Sequence, residues 1–105
     1  MGFIEIIDRE ERLSRRFGDS IIYFRRIDWE KAEEMGGEAD EARRRMEIID
    51  YVIVAWENVR HPITKEEVPC TRENKLKLPQ RVLVEILNEA RGSMGGEELK
   101  NSEST

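Results

Sequence analysis

The segment EARRRMEIIDYVIVAWENV, residues Glu41–Val59, carries the strongest periodic signal in the chain. Ala42, Met46, Ile49, Ile53 and Trp56 recur at alternating spacings of four and three, and Ile48, Val52, Ala55 and Val59 form a second stripe beside them. At about 100° of turn per residue the two stripes cover about half of a helical circumference, wider than the minimum apolar face of a surface helix. The spacing therefore predicts one long helix over Glu41–Val59 at the centre of the core. Arg43, Glu47, Asp50, Glu57 and Asn58 fall on its polar side, where Val54 is an isolated apolar residue.

Upstream, Glu11–Phe17 and Ser20–Ile27 flank Gly18-Asp19. A glycine-led two-residue loop suits a type II′ hairpin turn, because glycine accepts a positive φ. Pairing Phe17 with Ser20 sets Arg15 opposite Ile22 and Leu13 opposite Phe24, so Leu13, Phe17, Ile22 and Phe24 share the buried face. The other face then carries Arg12, Arg16, Ile21, Tyr23 and Arg25, with Arg12 opposite Arg25. Asp28, followed by Glu30 and Glu33, reads as the N-cap of a short helix over Trp29–Met35. Gly36-Gly37 ends that helix, and Gly36–Asp40 is a polar connector expected to be mobile. The apolar cluster Phe3, Ile4, Ile6 and Ile7 fits a short edge strand or one helical turn equally well.

Downstream, Pro62 and Pro69 make Arg60–Pro69 irregular, with Lys65-Glu66-Glu67 as a plausible turn of a loose hairpin. Thr71 is placed to cap a brief turn through Arg72-Glu73-Asn74. A last helix is expected over Pro79–Arg91, with Val82, Leu83, Ile86, Leu87 and Ala90 inward and Gly92 just past its end. Gly92–Thr105, rich in Gly, Ser and Glu, reads as a flexible tail. The expected architecture is a single α+β domain over residues 1–91, a hairpin packed on the long helix and completed by the last one.

Composition narrows the function. The chain has 105 residues, enough for one small core but not for two stable domains. Its 18 basic and 23 acidic residues nearly balance at a net charge of −5, which supplies no long-range basic field for non-specific nucleic-acid binding. No apolar run approaches the roughly 20 residues that cross a bilayer, and the acidic start lacks the marks of a signal peptide, so a cytoplasmic protein is expected. A lone Cys70 excludes an internal disulfide and, with His61 as the single histidine, an ordinary structural zinc site.

Few residues point to chemistry. His61 stands between Arg60 and Pro62 without an evident orienting partner and reads as an exposed loop histidine, and Cys70 as a small buried or half-buried thiol without a hydrolase signature around it. Adjacent acids such as Glu33-Glu34 splay apart on a helix, and the glycine pairs fit no phosphate-binding pattern. No cofactor or metal is expected. Two basic groups stand out, Arg12, Arg16 and Arg25 beside Tyr23 on the hairpin and Arg43-Arg44-Arg45 at the start of the long helix; arginine beside tyrosine resembles a groove for nucleic acid or an acidic protein, and the hairpin face supports an alternative reading as a small nucleic-acid-binding or regulatory protein.

The order of pieces resembles a known family. YFRRIDW (Tyr23–Trp29), YVIVAWENV (Tyr51–Val59) and EVPCTRENKLKLPQRVLVEIL (Glu67–Leu87) look like the small tail assembly chaperones of long-tailed bacteriophages and prophages. In those proteins a core helix ending in an aromatic-Gly-Val type motif precedes a turn, a P-[CF]-[ST]-x-E-N segment and a short final helix. The matching residues here are Trp56, Val59, Pro69, Cys70, Thr71, Glu73, Asn74, Leu78 and Pro79, while Glu57 stands where the family commonly has Gly. The resemblance spans about Leu13–Ala90. It implies a non-enzymatic, self-associating domain in the host cytoplasm that shields the phage tape measure protein, or another tail protein, until tail tube subunits assemble. Tyr23, Trp29 and Val54 are then the candidate apolar contacts.

Overall fold

A computed structural model describes residues 2–37 and 39–92; the proposed tail beyond Gly92, and Glu38 in the connector, lie outside the described residues. The fold is α+β, as expected. In chain order it has strands β1 (Leu13–Phe17) and β2 (Ser20–Phe24), helices α1 (Trp29–Gly36) and α2 (Glu41–Val52), strand β3 (Ile53–Glu57), and helices α3 (Arg72–Lys75) and α4 (Gln80–Ala90).

The hairpin has the expected register. Phe17 pairs with Ser20, Arg15 with Ile22 and Leu13 with Phe24. Gly18 has φ 65° while Asp19 stays at negative φ, the sign combination of a type II′ turn. Ile22 and Phe24 are buried, and Leu13 and Phe17 pack against them. Both strands are shorter than expected: β1 begins at Leu13, and β2 ends at Phe24 because the Arg25 N–H bonds the Val52 carbonyl at the end of α2 (3.0 Å) instead of β1.

The main correction falls on Glu41–Val59. The helix stops at Val52, and Ile53–Glu57 is a third strand, antiparallel to β2, in a sheet of order β1-β2-β3. No loop intervenes: Ile53 is extended (φ −83°, ψ 121°) while its N–H still bonds the Ile49 carbonyl. Two causes act together. Val52-Ile53-Val54 is a β-branched run, stiff in a helix and favoured in a strand, and an isolated two-stranded hairpin is marginal in water without a third strand or a helix on it. As a strand, the segment buries Ile53 completely and keeps Trp56 half-buried, with the Trp56 indole N–H on the Val68 carbonyl at 2.9 Å. Tyr23 faces Ala55 and Phe24 faces Ile53, so the register passes over Val54 and marks a bulge. Val54 is therefore a bulge residue of a strand, not a lone valine on a helix.

One continuous core joins Ile22 and Phe24 of the sheet, Ile48, Ile49 and Val52 of α2, Ile53 of β3, and Val82, Ile86 and Ala90 of α4. Asp28 caps α1 through the Lys31 N–H, Asp40 caps α2, and Thr71 caps α3 through the Asn74 N–H. Pro79 is the N-cap residue of α4 rather than its first turn, and Gly92 follows the helix at φ 71°. A loose hairpin is present, with Arg60 bridged to Glu67. Its turn lies at Pro62–Thr64, not Lys65–Glu67, because the His61 Nδ1 accepts the Ile63 and Thr64 N–H groups (3.1 and 3.3 Å) and Lys65 closes the loop at φ 66°. Gly2–Asp8 is neither strand nor helix. Among the described residues no helix is long and apolar enough to cross a membrane.

Candidate interaction surfaces

The proposed arginine face is taken apart by the fold. Arg16 and Tyr23 do lie together on the outer face of the sheet, but the Tyr23 hydroxyl donates to the Glu57 carboxylate at 2.6 Å. This bond, which the neutral phenol makes as donor, raises the Tyr23 pKa. Arg12 precedes β1 and turns back to the carbonyls of Arg9 and Glu11 (2.7 and 3.2 Å). Arg25 leaves the sheet altogether. Its Nε donates to the Tyr51 carbonyl (2.7 Å) and its guanidinium stacks 4.0 Å from the Tyr51 ring centroid. Arg12 and Arg25 are thus not opposed, and no arginine groove spans the sheet.

Arg15, by contrast, lies on the inward face and reaches across to Glu85 and Glu89 of α4 (3.2 and 2.8 Å), fastening the hairpin edge to the last helix. Nothing local in the sequence marks that role. Lys75 is also easily overlooked: it is buried, with Nζ held at 3.0 Å by both the carbonyl and the carboxylate of Asp50. Arg9 forms a two-pronged pair with Asp28, Nη2 to Oδ1 at 2.9 Å, beside Glu30. That contact, with the Lys31 N–H, lowers the Asp28 pKa to about 2.

Among the described residues no group of three or more His, Cys, Asp or Glu side chains is placed to hold a metal ion. Cys70 is half-buried, and burial pushes its thiol pKa up, away from the reactive thiolate. His61 is exposed and committed to its own turn.

What the surface of the described residues does offer is exposed apolar area. Phe3, Ile4 and Ile6 are 82%, 97% and 87% exposed, and Trp29, at the first position of α1, is 78% exposed. Scattered apolar residues are ordinary on a surface, whereas three within four positions form a contiguous arm. A cavity of about 340 Å³ opens between α1, α2 and the end of α4. Ile27, Ala32, Met35 and Ile48 make its apolar wall, with Arg44 and Arg91 beside them.

No protein-family model matches the chain, and no curated protein or solved structure is significantly similar to it.

Proposed function

We propose that this chain is a non-enzymatic tail assembly chaperone of a long-tailed bacteriophage or prophage, which holds the tape measure protein in the host cytoplasm until the tail tube forms around it. The observation that carries this reading is how the residues of the resemblance are used. Trp56 bonds Val68, Thr71 caps Asn74, and the Asn74 side-chain amide donates back to the Pro69 carbonyl at 2.9 Å. These residues set the course of the chain between β3 and α4. Residues spent on the course of the backbone in this way support reading the segment as part of a binding domain. Ile53–Glu57 is strand where the family pattern implies the end of a helix, so the support rests on the Pro69–Pro79 segment more than on Tyr51–Val59.

A chaperone of this kind needs apolar surface that a partner covers and later gives up. The arm at Phe3, Ile4 and Ile6, with Trp29, supplies it. Co-expression with the tape measure gene of the same genome tests the reading. The long helical protein should be soluble and co-purify with this chain, and be insoluble without it; a tape measure protein whose solubility ignores this chain contradicts the proposal.

A further inference from the structure

We infer that the cavity between α1, α2 and the end of α4 binds a small amphipathic carboxylate, an aliphatic acid of about eight to ten carbons. Its walls come from three places in the chain. Arg44 and Ile48 stand one turn apart on α2 and so share a face, and Met35, on the last turn of α1, lines the same cavity. The Ile27 N–H bonds the Ala90 carbonyl at 2.9 Å, which holds Ile27 beside the end of α4, where Arg91 follows. Apolar side chains and two guanidinium groups thus border one space.

Charge and volume together select the occupant. Arg91 makes no ion pair with a described residue, and Arg44 has just a 3.5 Å contact with Glu41 in the turn before it. Among the described residues that line the cavity there is no acid to answer either guanidinium, so a carboxylate is the group they would take. The cavity holds about 340 Å³. At about 30 Å³ for each water in the liquid, that is room for roughly eleven heavy atoms. One turn of helix with its side chains fills roughly 500 Å³, so a partner helix does not enter. An aliphatic acid of this length supplies both halves of the match: its tail displaces water from the apolar wall, and its head meets the arginines. The inference stands apart from the tape measure reading, which uses the exposed arm and Trp29, so either can fail without the other.

The test is titration of the full chain with decanoate, followed by NMR of the Ile27, Met35 and Ile48 methyl groups, with decanol and acetate as comparison probes. Decanoate is expected to saturate and to shift all three residues. Decanol keeps the chain without the charge and should bind about tenfold more weakly; acetate keeps the charge without the chain and should not saturate. Arg91→Gln should weaken decanoate about tenfold. Arg45→Gln, the same change of charge beside Arg44 but outside the cavity lining, should leave it unaltered. Gly36→Leu should abolish binding by filling the space: Gly36 lines the cavity, and a Cβ there meets no described atom within 4 Å. Leucine suits a helix better than glycine, so the melting temperature of that variant should hold or rise. The comparison of the three probes uses the native chain alone and stands whether or not a variant folds. Decanoate that fails to saturate, decanol bound as tightly as decanoate, or shifts at Phe3, Ile4 and Ile6 instead of the cavity residues would each overturn the inference. Decanoate binding unaltered by both Arg91→Gln and Gly36→Leu would overturn it as well.

Discussion

Phe24 shows how much of the core hangs on single side chains. It is fully buried at the point where the sheet meets α2, beside Ile53 and Val52, which are equally inaccessible. Phe24→Ala should cost about 3–5 kcal/mol, a large share of the stability of a domain this small. Urea unfolding checks this; a loss below about 1 kcal/mol would mean that the site collapses freely or is not core. Asp28 allows a prediction with a pH sign. Its pKa is lowered from 3.8 to about 2 by Arg9 and the Lys31 N–H. A depressed carboxyl stabilises the fold above its unfolded value and loses that contribution as pH falls through its folded value. Asp28→Asn retains a capping side chain but removes the charge. The gap in urea midpoint between the native chain and Asp28→Asn should therefore hold steady above about pH 5 and close as the pH falls toward 2. A gap independent of pH would contradict the pairing. At this scale the sequence was legible where partners are local, as with Asp28 and Thr71 capping their own helices. It was illegible where they are remote: Arg15 finds Glu89 from 74 residues away, and Arg25 turns from the sheet to the Tyr51 ring.

Among the elements, the hairpin and the last helix could be read directly, because their signals are complete within one segment. Gly18-Asp19 fixes the turn, the turn fixes the register, and alternation then decides the buried face. Glu41–Val59 deceived for a definite reason. Apolar residues spaced four and three apart continue through Trp56, but Ile53, which continues that spacing, is also one of three consecutive β-branched residues. A short apolar run satisfies helix and strand periodicity alike, and the need of β2 for a second neighbour decides between them. Backbone chemical shifts measure this junction. They should change from helical to extended between Val52 and Ile53, with a cross-strand contact from Tyr23 to Ala55. Helical shifts running unbroken to Val59 would return the segment to a single helix.

For the molecule as a whole, the candidate contacts scatter where the sequence suggested a patch. Arg12, Arg16 and Arg25 point to three different places, Val54 is taken into a bulge, and Tyr23 is tied to Glu57. Trp29 keeps its exposure and is joined by the arm at Phe3, Ile4 and Ile6. The arm was visible as an apolar cluster, but its exposure follows from the full three-dimensional fold and from no local pattern. A surface of this kind predicts binding governed by apolar burial, and hence weak dependence on salt, in contrast to the steep fall seen when phosphates are the partner. Affinity capture of the tagged chain from cells expressing its neighbouring genes, at low and at high salt, tests this most directly. One very long helical polypeptide retained at both salts is the predicted result. Nucleic acid retained at low salt alone, or nothing retained at either, would contradict it.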